Sequence, residues 1–252
     1  MIKHHPTQAL LKDFVSGDLE ASVAVLVASH VEMCAVCRGT VQALTEQAAD
    51  EAFAAVSGMQ SSTGYVDLMW SFDPAEDMVG NFDAEEAFLG QGNGCGDGSA
   101  LAMIDAITET PQDARIVLPQ TVTEIEVAGK RISLPRSLKS IALKEWQGMG
   151  KLSRARLALD DDERRMSLLH IDKGGSVPTH THKGFEITLL LEGSFDDEMG
   201  HYVAGDFIWL DGEHTHQPVT QDGCVCLTVS SDAIHFTQGV SQILNPIGRF
   251  IY

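Results

Sequence analysis

His30, Cys34 and Cys37 stand in one short stretch with the spacing His-x3-Cys-x2-Cys. A helix running through His30 places residues four apart on one face, so His30 and Cys34 can point the same way. The Cys-x-x-Cys pair then offers two sulfurs to one ion at the start of the following helix, where N-terminal amides favour the thiolate. Such a donor set suits Zn2+, which prefers tetrahedral N/S coordination and needs a fourth ligand to close a structural site. His4 and His5, just ahead of the first predicted helix, are the nearest remaining donors. A redox role for the pair would call for a βαβ setting, which the flanking sequence does not offer.

A second group lies far downstream. His180 and His182 are two apart on a segment that reads as extended, so both face the same side. Glu186 opens the next predicted strand, and His214 and His216 follow later. Three imidazoles with one carboxylate accept Zn, Fe, Mn, Ni or Cu.

The elements that must position these groups differ between the two ends of the chain. Leu10, Leu11, Phe14 and Val15 recur at helical spacing before Gly17, and Asp18 is placed to cap a second helix reaching about Val31. A third helix is predicted from near Cys34 through Val41, Leu44 and Ala48. Gly90 to Gly98 is glycine-rich, and residues 99–109 can form one more helix. Beyond Pro111 short strands are predicted at Thr121–Val127, Ala155–Leu159, Met166–Ile171, Phe185–Leu191, Phe207–Leu210 and Cys224–Val229. The fold class expected is therefore multidomain α + β, with a helical domain over 1–110 and a β-barrel domain over 111–252.

Charge narrows the partners. The 252 residues carry a formal net charge of -19, and no Lys or Arg occurs between Arg38 and Arg115, a stretch with many Asp and Glu. Such a surface repels phosphate backbones, which argues against direct nucleic-acid binding and for a basic protein partner. Tyr65, Met69, Trp70 and Phe72 in the acidic stretch can serve a core or a docking surface. The longest apolar run, Val23 to Val31, is too short to span a bilayer. The first residues lack the pattern of a secretory signal, so a cytoplasmic location is expected. Of the five cysteines, Cys224 and Cys226 alternate on a strand and face one side, as small core residues or as thiols able to react or to reach the second metal group, and Cys95 sits in the glycine-rich stretch.

On these residues, two resemblances emerge. His30, Cys34 and Cys37 resemble the motif of the zinc-binding anti-sigma family, whose helical domain blocks a sigma factor's access to RNA polymerase. By its place ahead of the first helix, His5 matches that family's upstream ligand better than His4. Gly174-x5-His180-x-His182-x3-Glu186-x6-Gly193 matches the first cupin motif, and Gly205 to Pro218 resembles the second, with His216 at its histidine position. Asp211 and Glu213 depart from the proline and glycine usual there. The order of the two domains resembles ChrR-type anti-sigma factors. That resemblance implies a metal-binding cupin barrel (double-stranded β-helix) at 111–252 and a partner that is an extracytoplasmic-function sigma factor. It implies Zn2+ on His5, His30, Cys34 and Cys37, and Zn2+ or Fe, Mn or Ni on His180, His182, Glu186 and His216. It also implies a non-enzymatic regulator that releases the sigma factor on an oxidative, singlet-oxygen-like signal. The alternative is a metal-dependent, dioxygenase-like cupin enzyme with a regulatory N-terminal domain.

Overall fold

A computed structural model describes residues 1–60, 104, 106, 108, 109, 122–161 and 164–237. Trp70, Met69, Phe72, Cys95 and most of the acidic stretch lie outside the described residues. Of the helix expected over 99–109, Ile104, Ala106, Thr108 and Glu109 are described, and all four are helical.

Three helices come first. α1 (Gln8–Ser16) is capped by the Thr7 hydroxyl, which accepts from the Leu10 N–H, and ends at Gly17 in the left-handed conformation, φ 80°. α2 (Ala21–Met33) begins after Glu20 with no side-chain cap. Asp18 does not cap it; its carboxylate instead accepts from the Ser16 hydroxyl at 2.6 Å. α3 (Ala35–Gln60) follows after one extended residue, Cys34, with φ -111° and ψ 109°. This break sets Cys34 outside both helices and turns the chain between His30 and Cys37.

The strands build a cupin sandwich. β1 (Glu124–Val127) and β2 (Lys130–Ser133) form a hairpin whose Ala128 and Gly129 both have positive φ, as a tight two-residue turn requires. A 3-10 turn (Arg136–Leu138) leads to β3 (Gln147–Met149), β4 (Leu152–Arg156) and β5 (Arg165–Ile171). Next come β6 (His180–His182), β7 (Glu186–Asp197), β8 (Gly200–Val203), β9 (Phe207–Leu210), β10 (Cys224–Ser230) and β11 (Ile234–Phe236). The large sheet has the order β3-β4-β5-β10-β7-β8, with β9 also paired to β7, while β6 pairs with β11. The strand expected over Ala155–Leu159 lies earlier, ending at Arg156, because Leu157 leaves the ladder to bridge Leu143.

Alternation along these strands makes two cores. Met166, Leu168, Ile187, Leu189, Leu191, Val225, Leu227 and Val229 face one way, in one buried cluster with Val23, Leu26 and Val27 of α2. Ile171, Leu190, Phe195, Ile208, Leu210, Cys224 and Cys226 face the other way and fill the interior. α2 is apolar nearly all round, as suits a buried helix; Leu26 and Val27 have no exposed surface. Full burial of each such side chain is worth about 1.5–3 kcal/mol. Polar ties reinforce this packing. Ser22 donates to Asp161, the Ser29 and Ser137 hydroxyls meet at 2.7 Å, and the Arg136 N–H donates to Glu32 at 2.8 Å.

Residues Met1–Glu51 and Pro119–Tyr252 thus form one compact unit, and Ala52–Leu118 a second. No single helix among the described residues is long and apolar enough to cross a membrane.

Two candidate metal centres

The first centre assembles where an N-terminal arm meets the α2–α3 break. His30, in the last turn of α2, is fully buried. Its Nδ1–H donates to the carbonyl of Gly205 at 2.9 Å, so its bare Nε2 faces Cys37 Sγ at 3.2 Å. The Cys37 N–H points at Cys34 Sγ, 3.5 Å away, in the first turn of α3. His5 completes the group: its Nδ1 lies 3.4 Å from both Cys34 Sγ and Cys37 Sγ. The four donor atoms lie within 4.8 Å of one another. Around a zinc ion with Zn–S of about 2.3 Å and Zn–N of about 2.0 Å, tetrahedral neighbours would stand roughly 3.5 Å apart. The observed spacings come close to that, so the group fits such an ion.

The electrostatics favour metal-ready imidazole. Burial, aided by His5, lowers His30 from its usual 6.5 to about 4, so its ring is neutral near pH 7. Burial and the adjacent Cys34 push the Cys37 thiol up to about 12. Without a cation the Cys37 thiol therefore stays protonated; a cation would reverse that preference.

The second centre lies inside the barrel. His180 and His182 stand on β6 with both side chains buried, and His216 pairs across to His180 through an isolated bridge. The His180 Nδ1–H donates to the Pro178 carbonyl at 2.8 Å, and the His216 Nδ1–H donates to Asp197 Oδ2 at 3.2 Å. These bonds fix both tautomers with Nε2 bare, the usual arrangement behind a metal-bound imidazole. His182 Nε2 meets His216 Nε2 at 3.3 Å. Its Nδ1 lies 3.1 Å from Glu186 Oε2, but outside hydrogen-bonding geometry, which leaves a buried nitrogen without a hydrogen-bond partner. Burial lowers both His180 and His182 from 6.5 to about 4. Three imidazoles beside a carboxylate can hold a divalent transition metal.

Seven of the eight expected ligands fall in one of two clusters. His5, His30, Cys34 and Cys37 converge in the first, and His180, His182 and His216 in the second, with Glu186 at its edge. The other histidines go elsewhere. His4 leans on Tyr202, ring centres 4.8 Å apart, and His214 bonds the exposed Asp211 at 2.7 Å. Sequence reading missed the groups behind the ligands. Asp197 reads as part of an acidic surface turn, Asp196-Asp197-Glu198, yet its side chain is 1% exposed. The Gly205 and Pro178 carbonyls carry no side-chain signal at all. Cys224 and Cys226 are buried inside, and Cys226 lines a small cavity of about 40 Å3 together with His180, Glu186 and His216.

Comparison with known proteins places these centres in context. Residues 138–233 match the family described as the ChrR cupin-like domain. Over 251 residues the chain is 28% identical to the anti-sigma-E factor ChrR of Cereibacter sphaeroides, covering 98% of this chain and 99% of that protein. Among solved structures, a chain of the Rhodobacter sphaeroides complex of SigE with the anti-sigma ChrR matches with a TM-score of 0.53 and 26% identity. That match covers 91% of this chain and 100% of the other. An RmlC-like cupin from Ralstonia eutropha matches with a TM-score of 0.34 and 15% identity, covering 39% of this chain and 68% of that one. The chain is thus similar to a ChrR-type anti-sigma factor along nearly its whole length.

Proposed function

We propose that this chain is an anti-sigma factor of the ChrR type. Residues 1–110 hold an extracytoplasmic-function sigma factor away from RNA polymerase, and residues 111–252 are a cupin that controls its release. The observation that carries this reading is the convergence of His5, His30, Cys34 and Cys37 in a chain similar from end to end to an anti-sigma-E factor.

The sulfur-containing set favours Zn2+ in the first centre. What zinc supplies there, when bound, is a tetrahedral crosslink between the arm, α2 and α3. The chain's own residues do the rest. His5 ties the arm, His30 ties the end of α2, and Cys34 and Cys37 tie the helix break, so α3 leaves in one direction. On α3, Val41 and Leu44 are half-buried, but Thr45 to Glu51 are all exposed, and Val36 is 70% exposed. That surface is offered to the sigma factor. The net charge of -19 favours encounter with a basic partner and disfavours nucleic acid.

His180, His182, Glu186 and His216 hold Zn2+ or another divalent metal, Fe, Mn or Ni, in the cupin. An oxidative, singlet-oxygen-like signal acts on this centre, and the barrel passes the change to the helices packed on it. Such a signal can shift the complex only by interacting differently with bound and released states. The protein acts in the cytoplasm as a regulator and not as a catalyst. The test is capture of a co-expressed extracytoplasmic-function sigma factor by the full chain. The wild type should retain it, and Cys34→Ser with Cys37→Ser should release it. Retention by the double variant would contradict the zinc-organised grip.

One observation favours a second reading. A largely apolar cavity of about 290 Å3, lined by Leu152, Leu169, Val177, Ile234 and Phe236, opens beside Glu186. A small molecule there could reach the metal centre as a substrate, as in a dioxygenase-like cupin. Iron-dependent turnover abolished by His182→Ala would establish that reading over the first.

A further inference from the structure

The N-terminal arm is held down by a single turn of the barrel. Asp206, fully buried, accepts from the Lys3 N–H at 2.7 Å and the His4 N–H at 3.0 Å through Oδ1, and from the Val203 N–H at 2.8 Å through Oδ2. The next residue, Phe207, donates its N–H to the His4 carbonyl at 3.0 Å. The preceding one, Gly205, has φ +95°, and a Cβ there would run into the side chain of Ile2. So glycine suits position 205 by its backbone angle, and it leaves room for the Ile2 side chain of the arm. The Gly205 carbonyl accepts the His30 Nδ1–H, and the Phe207 ring packs edge-on against His30, with centres 5.8 Å apart.

We propose that the Gly205–Asp206–Phe207 turn is the positioning element of the N-terminal metal centre. It aims two of the four donors, His5 through the arm and His30 directly, although neither lies in the cupin sequence. An extended arm with no such anchor is ordinarily loose, and its histidine would spend little time beside Cys34 and Cys37. The same turn feeds β9, whose far end, Leu210, pairs with Glu186 of the cupin centre. One four-residue strand therefore joins the turn that holds the arm to the strand that begins at Glu186. This inference rests on the metal reading of the first centre.

The test is a Co2+ titration of the full chain under reducing, oxygen-free conditions, followed by thiolate-to-cobalt charge-transfer absorption. Loss of the band in Cys34→Ser with Cys37→Ser assigns it to the first centre. Asp206→Ala removes the acceptor. The arm variant Ile2→Asp with Lys3→Pro removes the packing and one donor without altering the barrel. Asp222→Ala, on the exposed barrel surface, is the control. The arm variant and Asp206→Ala should each weaken Co2+ binding by about tenfold or more, the scale of a lost supporting group, with the control unchanged. Absence of the band in the wild type would sink the metal reading itself. A wild-type band with unchanged affinity in the arm variant would sink the positioning role, whatever Asp206→Ala does.

Discussion

Buried Asp197 holds His216 Nδ1 and turns that ring inward, while His214, two residues before it, pairs with exposed Asp211. His216→Ala should therefore lower metal affinity at the cupin centre by at least about tenfold, and His214→Ala should leave it unchanged, as read by competition with a chromophoric chelator. The ligand types are legible in the sequence, because imidazole and thiolate at short fixed spacings carry their chemistry with them; which of two near neighbours reaches the site is not. The buried histidines also set a pH dependence for the metal-free chain. His30, His180 and His182 bind protons near 6.5 when unfolded but only at about 4 when folded. Between those values the unfolded state carries more protons. Stability is thus complete above the higher value and is lost as pH falls toward the lower one. Urea midpoints of the metal-free protein should drop between about pH 7 and pH 5, and a flat profile would show that these rings are not buried neutral.

At the level of elements, periodicity marked all three helices and most of the long strands. The apolar run Ile187–Leu191 marks β7 as a strand buried on both faces. It did not say what covers the outer face. α2 shows that it must be buried, being apolar nearly all round, but an apolar helix does not name its partner. The partner proves to be the sheet, through Val23, Leu26 and Val27. The short strands β8 and β11 were not legible, because Gly200–Val203 and Ile234–Phe236 hold too little apolar pattern to register, whereas the apolar Phe207–Leu210 of β9 and the paired histidines of β6 do register. Leu26→Ala should cost roughly 2–5 kcal/mol in chemical unfolding, the range for deleting a fully buried leucine. A cost under about 1 kcal/mol would mean that α2 does not form a common core with the sheet.

For the whole molecule, the consequence is that the helices which carry the first centre are seated on the barrel which carries the second. A reading by composition divides the chain near residue 110, where helical pattern gives way to strands. Contacts gather Met1–Glu51 with Pro119–Tyr252, because the ties through Asp161, Ser137, Gly205 and Asp206 are long-range and leave no mark on local sequence. In the proposed function, this seating is the path by which a change at His180, His182 and His216 reaches the sigma-binding helices. Metal removal by a strong chelator should accordingly release the sigma factor from the wild-type complex, measured by gel filtration, and survival of the complex would exclude a metal-organised grip.

Metal content per chain bears most directly on the claim that two independent centres share this molecule. Elemental analysis of the purified full chain should give two ions for the wild type, one for Cys34→Ser with Cys37→Ser, and one for His180→Ala with His182→Ala. A wild type that holds one ion, or none, would contradict it.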